Sequence, residues 1–146
     1  MKEIRGDIWL HHRRGEWVAI TTNGNIRQDG ACVMGRGVAL QAARRWPQLP
    51  FDLGRAIRKR GNRVHRLEEY HLVSFPVKYA WYEKADLDLI VRSAHEIVRL
   101  LDDPLADIEQ LYSVRPGCGN GGLSWADVKP LIASVFDDRV IIVEQA

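Results

Sequence analysis

The residues best suited by type and spacing to do chemistry fall in two glycine-rich runs. The first is Met34-Gly35-Arg36-Gly37-Val38-Ala39; the second is Gly117-Cys118-Gly119-Asn120-Gly121-Gly122, followed by Leu123. Glycine lets the backbone turn through positive φ and lets a ligand approach the main chain closely. Where such a run opens a helix, the unpaired N–H groups of the first turn favour an anion, typically a phosphate. One run alone is most often a tight turn. Two in one small chain, each between a strand-like and a helix-like segment, point to a diphosphate gripped from both sides. The first run reads G-x-G-x-A and does not follow the first strand directly, so it matches the dinucleotide fingerprint poorly, and no P-loop Gly-Lys-Ser/Thr occurs anywhere.

Other reactive residue types have plainer explanations. Cys118 sits inside the second run and reads as a small packed residue rather than a thiol nucleophile, as does Cys32. Two cysteines make no disulfide framework and suit a reducing compartment. The five histidines show no metal-ligand spacing, so no metal site is expected. The basic run of Arg55, Arg58, Lys59, Arg60, Arg63 and Arg66 has the default meaning of a solvated helix face and loop. Its functional alternative is a flank that holds a nucleic-acid strand.

The elements that must position the glycine runs alternate between short β-like and longer helical patterns. Strands are predicted over Ile4–Trp9, Trp17–Thr22, Tyr70–Val77, Ile108–Val114 and Val140–Val143. Helices are predicted over Gly37–Trp46, closed by Pro47, over Leu53–Arg60, and over Leu87–Leu101, where Ile90, Ala94, Ile97, Val98 and Leu101 form one apolar stripe. A last helix starts near Ser124, a good N-cap with Asp127 three positions on. This alternation argues for a three-layer α/β sandwich with a mostly parallel or mixed sheet. Both glycine runs then lie beyond strand ends, where ligands bind in such sheets.

With 146 residues, 46% of them hydrophobic and 27% charged, the chain is of single-domain size and globular composition. A net charge of +2 does not by itself announce a nucleic-acid binder. No apolar run reaches bilayer length, and the first residues lack a secretory pattern, so a cytoplasmic protein with no membrane partner is expected.

Four segments together resemble the macrodomains: Gly6-Asp7-Ile8, VMGRGVALQAARRWP (residues 33–47), FPVKYAW (75–81) and RPGCGNGGLSW (115–125). They are most similar to the branch of the terminal ADP-ribose glycohydrolase and the DNA ADP-ribosyl glycohydrolase antitoxins. The resemblance implies a single macrodomain over residues 1–146, an α/β/α sandwich with a central mixed sheet, that binds ADP-ribose. It further implies removal of ADP-ribose from modified DNA or protein, with no cofactor and an ADP-ribosyltransferase toxin as a possible partner. By the same resemblance Asp7 accepts a hydrogen bond from the adenine amino group, with Ile8 beside it, and Asn23 or its neighbours face the distal ribose. Gly35, Arg36, Gly37, Val38 and Ala39, with Gly117, Cys118, Gly119, Asn120, Gly121, Gly122 and Leu123, surround the diphosphate. Lys78 matches the lysine that attacks the anomeric carbon, and shielding by Phe75, Pro76 and Trp81 would depress its pKa. Gly121 stands where the protein-directed glycohydrolase has an acid, and Ser124 where the antitoxins have one. Those departures keep two alternatives open: a non-catalytic ADP-ribose reader, and an ADP-ribose 1″-phosphate phosphatase.

Overall fold

A computed structural model describes every residue from Met1 to Ala146. The chain runs β1 (Lys2–Gly6), α1 (Ile8–Arg13), β2 (Trp17–Thr22), α2 (Gly37–Arg45), α3 (Leu49–Arg60), β3 (Arg66–Leu67), β4 (Leu72–Pro76), α4 (Leu87–Asp102), β5 (Leu111–Val114), α5 (Trp125–Ala133) and β6 (Val140–Gln145). The six strands form one sheet in the order β1-β6-β5-β2-β4-β3. Every pairing is parallel except β3 with β4, so the sheet is mixed, as expected.

Strand pleat sorts the side chains into two cores, one on each face. Along β2, Trp17 and Ala19 point to one face, and Val18 and Ile20 to the other. The first face packs on α4 and α5 through Ile90, Ala94, Ile97, Val128 and Ile132. The second packs on α1, α2 and α3 through Ile8, Val38, Ala42, Leu49 and Leu53. Covered on both sides, β2 and β6 can be continuous apolar runs and still be strands. The helix over 87–102 carries the stripe read from the sequence and is capped by Asp86, whose carboxylate accepts from the Leu89 N–H at 2.9 Å. No helix is long and apolar enough to cross a membrane.

The structure corrects several boundaries. The strand predicted over Ile4–Trp9 ends at Gly6, because the Asp7 carboxylate accepts from the Trp9 N–H at 3.0 Å and starts α1. Local capping thus overrides a run that looks apolar. The helix predicted from Leu53 begins at Leu49, with Pro50 in its first turn, where a missing N–H costs nothing. Tyr70 belongs to a 3₁₀ turn (Glu68–Tyr70) before β4. Ile108 precedes β5 as a buried loop residue, and β6 runs on to Gln145 as the partner of β1.

Candidate functional site

From β2 the chain goes to β4 on one side, then returns through α4 to β5 on the other. Such a reversal opens a crevice beyond the carboxyl ends of the central strands. A cavity of about 780 Å³ lies there, bounded by Thr21 and Thr22 at the end of β2, Val77 and Lys78 just after β4, Val114 and Arg115 at the end of β5, and Val143 to Gln145 in β6. Both glycine runs close over it. Its size is that of a site for a nucleotide-sized ligand.

The first run leads into α2, whose first turn has no side-chain cap. The N–H groups of Gly35, Arg36, Gly37, Val38 and Ala39 donate to no group of the protein, and all five residues line the cavity. Gly37 holds φ +57°, and a side chain there would meet the Asn120 amide at 3.2 Å, so the two runs approach each other at this point. The second run is braced within itself. Leu123 N–H donates to Gly117 O at 3.0 Å and Gly122 N–H to Gly119 O at 3.2 Å. Gly119, Asn120 and Gly121 keep their N–H groups unpaired and line the cavity. Gly122 and Leu123, expected among the diphosphate donors, spend theirs on the turn and lie off the cavity wall. Gly117 and Cys118 line it through the turn itself. The Cys118 thiol is held in its protonated form by burial, which outweighs nearby Arg115, and it contacts Pro116 O at 3.5 Å. Burial pushes the Cys32 thiol up to about 12. Neither is placed as a nucleophile.

Lys78 leaves the end of β4 half-buried at one end of the cavity. Its Nζ donates to Trp81 O at 3.3 Å and to Asn120 O at 3.4 Å, which links it to the second glycine run. Burial lowers its pKa first, and the Arg36 guanidinium across the cavity lowers it further. The segment after Lys78 is pinned at three points. Asn62 Nδ2 donates to Lys78 O at 3.0 Å, Gly24 N–H to Tyr79 O at 3.1 Å, and Trp81 N–H to Asn25 Oδ1 at 2.6 Å. Asn23 lines the cavity, yet its amide accepts from Asn25 N–H at 2.9 Å and donates to Val33 O at 3.0 Å. Its placed role is therefore to shape the loop.

At the other end, Asp7 and Ile8 lie behind the cavity wall rather than on it. Asp7 is exposed, with one oxygen capping α1 and the other 3.7 Å from Arg13. Ile8 is wholly buried, and its N–H donates to Gln145 Oε1 at 3.3 Å. Residues that sequence reasoning passed over include Arg27, Gln41, Arg115, Glu144 and Gln145, all on the wall. Nothing local marks them; the sheet order brings them together. Glu144 is the only carboxylate on the wall and faces Arg115 at 3.5 Å, leaving Arg27, Arg36 and Lys78 to make the cavity positive. Nowhere do three His, Cys, Asp or Glu side chains gather as a metal site would need.

No family model matches the chain. It is 27% identical over 113 residues to the DNA ADP-ribosyl glycohydrolases of Mycobacterium tuberculosis (strain H37Rv) and Mycobacterium bovis (strain BCG Pasteur), an alignment that takes in 71% of this chain. It spans about a third (32%) of the length of those relatives. The structure superposes on the macrodomain of Mycobacterium tuberculosis DarG with a TM-score of 0.69 and 28% identity, covering 90% of each chain. The macrodomain of Thermus aquaticus DarG gives a TM-score of 0.74 at 23% identity, over 99% of this chain and 97% of that one. Thermosipho africanus DarTG, solved in complex with ADP-ribose, gives 0.69 at 22%, over 90% of this chain and 38% of that one. With its two glycine runs, the lysine after β4 and this sheet order, the chain has the fold of the DarG macrodomains and is similar in sequence to that of Mycobacterium tuberculosis.

Proposed function

We propose that this chain binds ADP-ribose and removes it from a modified macromolecule, with Lys78 as the attacking amine. The observation that carries the reading is one cavity in which two rows of unpaired main-chain N–H groups face each other, with Lys78 Nζ at one end. A diphosphate between the rows meets eight N–H groups and the positive charge of Arg36 and Arg27. That fixes a ribose near Lys78 and a base at the opposite end. Relatives named DNA ADP-ribosyl glycohydrolase and a related structure solved with ADP-ribose support the same ligand.

The chemistry needs a neutral amine, which the lowered pKa of Lys78 makes more available. Nζ attacks the anomeric carbon of the distal ribose, and the bond from that carbon to the carrier breaks. The carrier departs with the proton given up by the amine. Water then adds its hydroxyl to the anomeric carbon of the adduct and returns a proton to Nζ, releasing free ADP-ribose.

As carrier we favour a nucleic-acid strand over a protein side chain. Tyr79, Trp81 and Tyr82, beside the lysine, are 53%, 49% and 72% exposed, an unusual concentration of open aromatic surface. Flat exposed rings next to cations are what unstacked nucleobases require. A transferase that attaches the group is the matching partner, since a group that is removed must first be attached.

A second reading, a module that only binds ADP-ribose, is favoured by Gly121. A Cβ there would lie 2.4 Å from Gly117 O, so no acid can occupy the position without moving the turn. Incubation with a single-stranded oligonucleotide carrying ADP-ribose on a base separates the readings. Release by the wild type, with Lys78→Ala binding ADP-ribose but releasing at least a thousandfold more slowly, supports the enzyme, since loss of a covalent nucleophile has effects of that order. Binding without release by the wild type leaves the reader.

A further inference from the structure

We propose that the C-terminal end of α3, through Arg58, Lys59 and Arg60, holds the phosphates of a single-stranded nucleic acid whose modified nucleotide sits at Lys78. The inference rests on the ADP-ribose reading and adds where the carrier strand lies on the surface.

Positive charge is concentrated there by sequence. Residues 53–67 hold six Lys or Arg and no Asp or Glu, in a chain whose net charge is only +2. Three of the six are paired with acids outside the run: Arg55 with Asp52, Arg63 with Glu96 and Arg66 with Glu68. The side chains of Arg58, Lys59 and Arg60 are exposed and make no ion pair. Cations in a last turn ordinarily offset the helix dipole. That use needs no particular neighbours, and these three have them.

Past Gly61, which ends α3 at φ +93°, the chain reaches the lysine within one residue: Asn62 Nδ2 donates to Lys78 O at 3.0 Å. A Cβ on Gly24 would lie 3.0 Å from both Asn62 Nδ2 and Tyr79 O, so the α3 end and the aromatic turn meet at this point. The junction is held from behind by α4. Arg92 donates to Asn62 O, and Glu96 accepts from the Val64 N–H at 2.9 Å and from Arg63 at 2.8 Å. Lys78 thus stands between a fixed basic helix end and the open rings of Tyr79, Trp81 and Tyr82. A single strand asks for both surfaces, cations for its backbone and flat faces for its unstacked bases. A duplex would keep its bases stacked away from the rings. A second group of exposed cations, Arg13, Arg14 and Arg44, lies at the ends of α1 and α2, with no exposed ring beside it.

The experiment uses the full chain with Lys78→Ala, so that nothing is released, and three ligands. They are free ADP-ribose, a single-stranded oligonucleotide of about ten nucleotides, and the same strand with ADP-ribose on a central base. Calorimetry reads the first, and fluorescence anisotropy at several salt concentrations reads the strands. The modified strand is expected to bind about tenfold or more tightly than free ADP-ribose, because two linked contacts are made at once. Adding Arg58→Gln, Lys59→Gln and Arg60→Gln is expected to remove most of that gain and to leave free ADP-ribose binding unchanged. The slope of log affinity against log salt is expected to flatten by about 2, at about 0.7 per phosphate contact. Adding Arg13→Gln, Arg14→Gln and Arg44→Gln instead removes the same charge and is expected to keep the slope. Equal losses in the two triple variants would mean that net charge alone attracts the strand, and would overturn the inference. So would an unchanged affinity of the α3 variant for the modified strand. Binding of the plain strand with this slope difference, but none of ADP-ribose, supports the strand site and overturns the proposed function. Binding of no ligand overturns both.

Discussion

The two glycine runs look alike in sequence and do different work in the fold. The second, Pro116 to Leu123, is a packed turn: Gly117 has φ +76° and Gly121 lies so close to Gly117 O that a Cβ would sit 2.4 Å from it. It is braced within itself by Leu123 N–H to Gly117 O and tied to its surroundings by Ala85 N–H to Gly121 O and Lys78 Nζ to Asn120 O. The first run is open: a Cβ on Gly35 would meet nothing within 4 Å, and five successive N–H groups have no protein partner. Glycine in one run answers to steric crowding, and in the other to what must approach from outside. The second run positions by rigidity and leaves three N–H groups free; the first, unbraced, leaves five together with the Arg36 charge.

That contrast can be broken at several points. The largest effect is expected from Gly121→Ala, which forces backbone against backbone. A loss of about 2 to 3 kcal/mol in a urea titration is expected, as for other overpacked sites, together with loss of ADP-ribose binding. A stable variant with unchanged affinity would show that the second run is not the rigid partner. Gly37→Ala, at φ +57° and facing Asn120 at 3.2 Å, should cost about 1 to 2 kcal/mol by the same titration, since only its backbone angle and one flexible amide resist.

Arg36→Gln probes the electrical role of the first run. Burial and the Arg36 charge together lower the pKa of Lys78, and removing that charge lets it rise. The proposed attack requires the neutral amine, so on that mechanism the release rate climbs as pH passes the lysine pKa from below. The variant's ascending limb, measured at saturating substrate, is therefore expected at higher pH than the wild type's. A limb that stays in place would mean Arg36 does not tune Lys78. The smallest effect is expected for Gly35→Ala, within about 0.5 kcal/mol of wild type in stability, as for an open surface position. A large loss there would erase the distinction between the runs.

How much of this was legible in the sequence follows from how local each cause is. β2 over Trp17–Thr22, the α4 stripe and the Ser124 cap are visible because periodicity and capping are short-range. The glycine runs announce a close approach to the main chain but not its direction, so Gly122 and Leu123 were expected on the cavity and are found bracing the turn. Asp7 was expected to face a base, yet one of its oxygens starts α1, a role its N-cap chemistry equally allows. Arg27, Gln41 and Gln145 had no local mark, because only the sheet order brings the end of β6 beside α2. Asn62, which holds Lys78 O from the far end of α3, was hidden for the same reason.

The most direct test of the central claim is titration calorimetry of the purified chain with ADP-ribose, with AMP as the comparison. The account predicts micromolar affinity for ADP-ribose and at least tenfold weaker binding of AMP, which lacks the second phosphate and the distal ribose that the facing N–H rows and Lys78 would hold. No detectable binding of ADP-ribose, or equal binding of the two, would contradict it: the glycine runs would then serve turns alone or a different ligand.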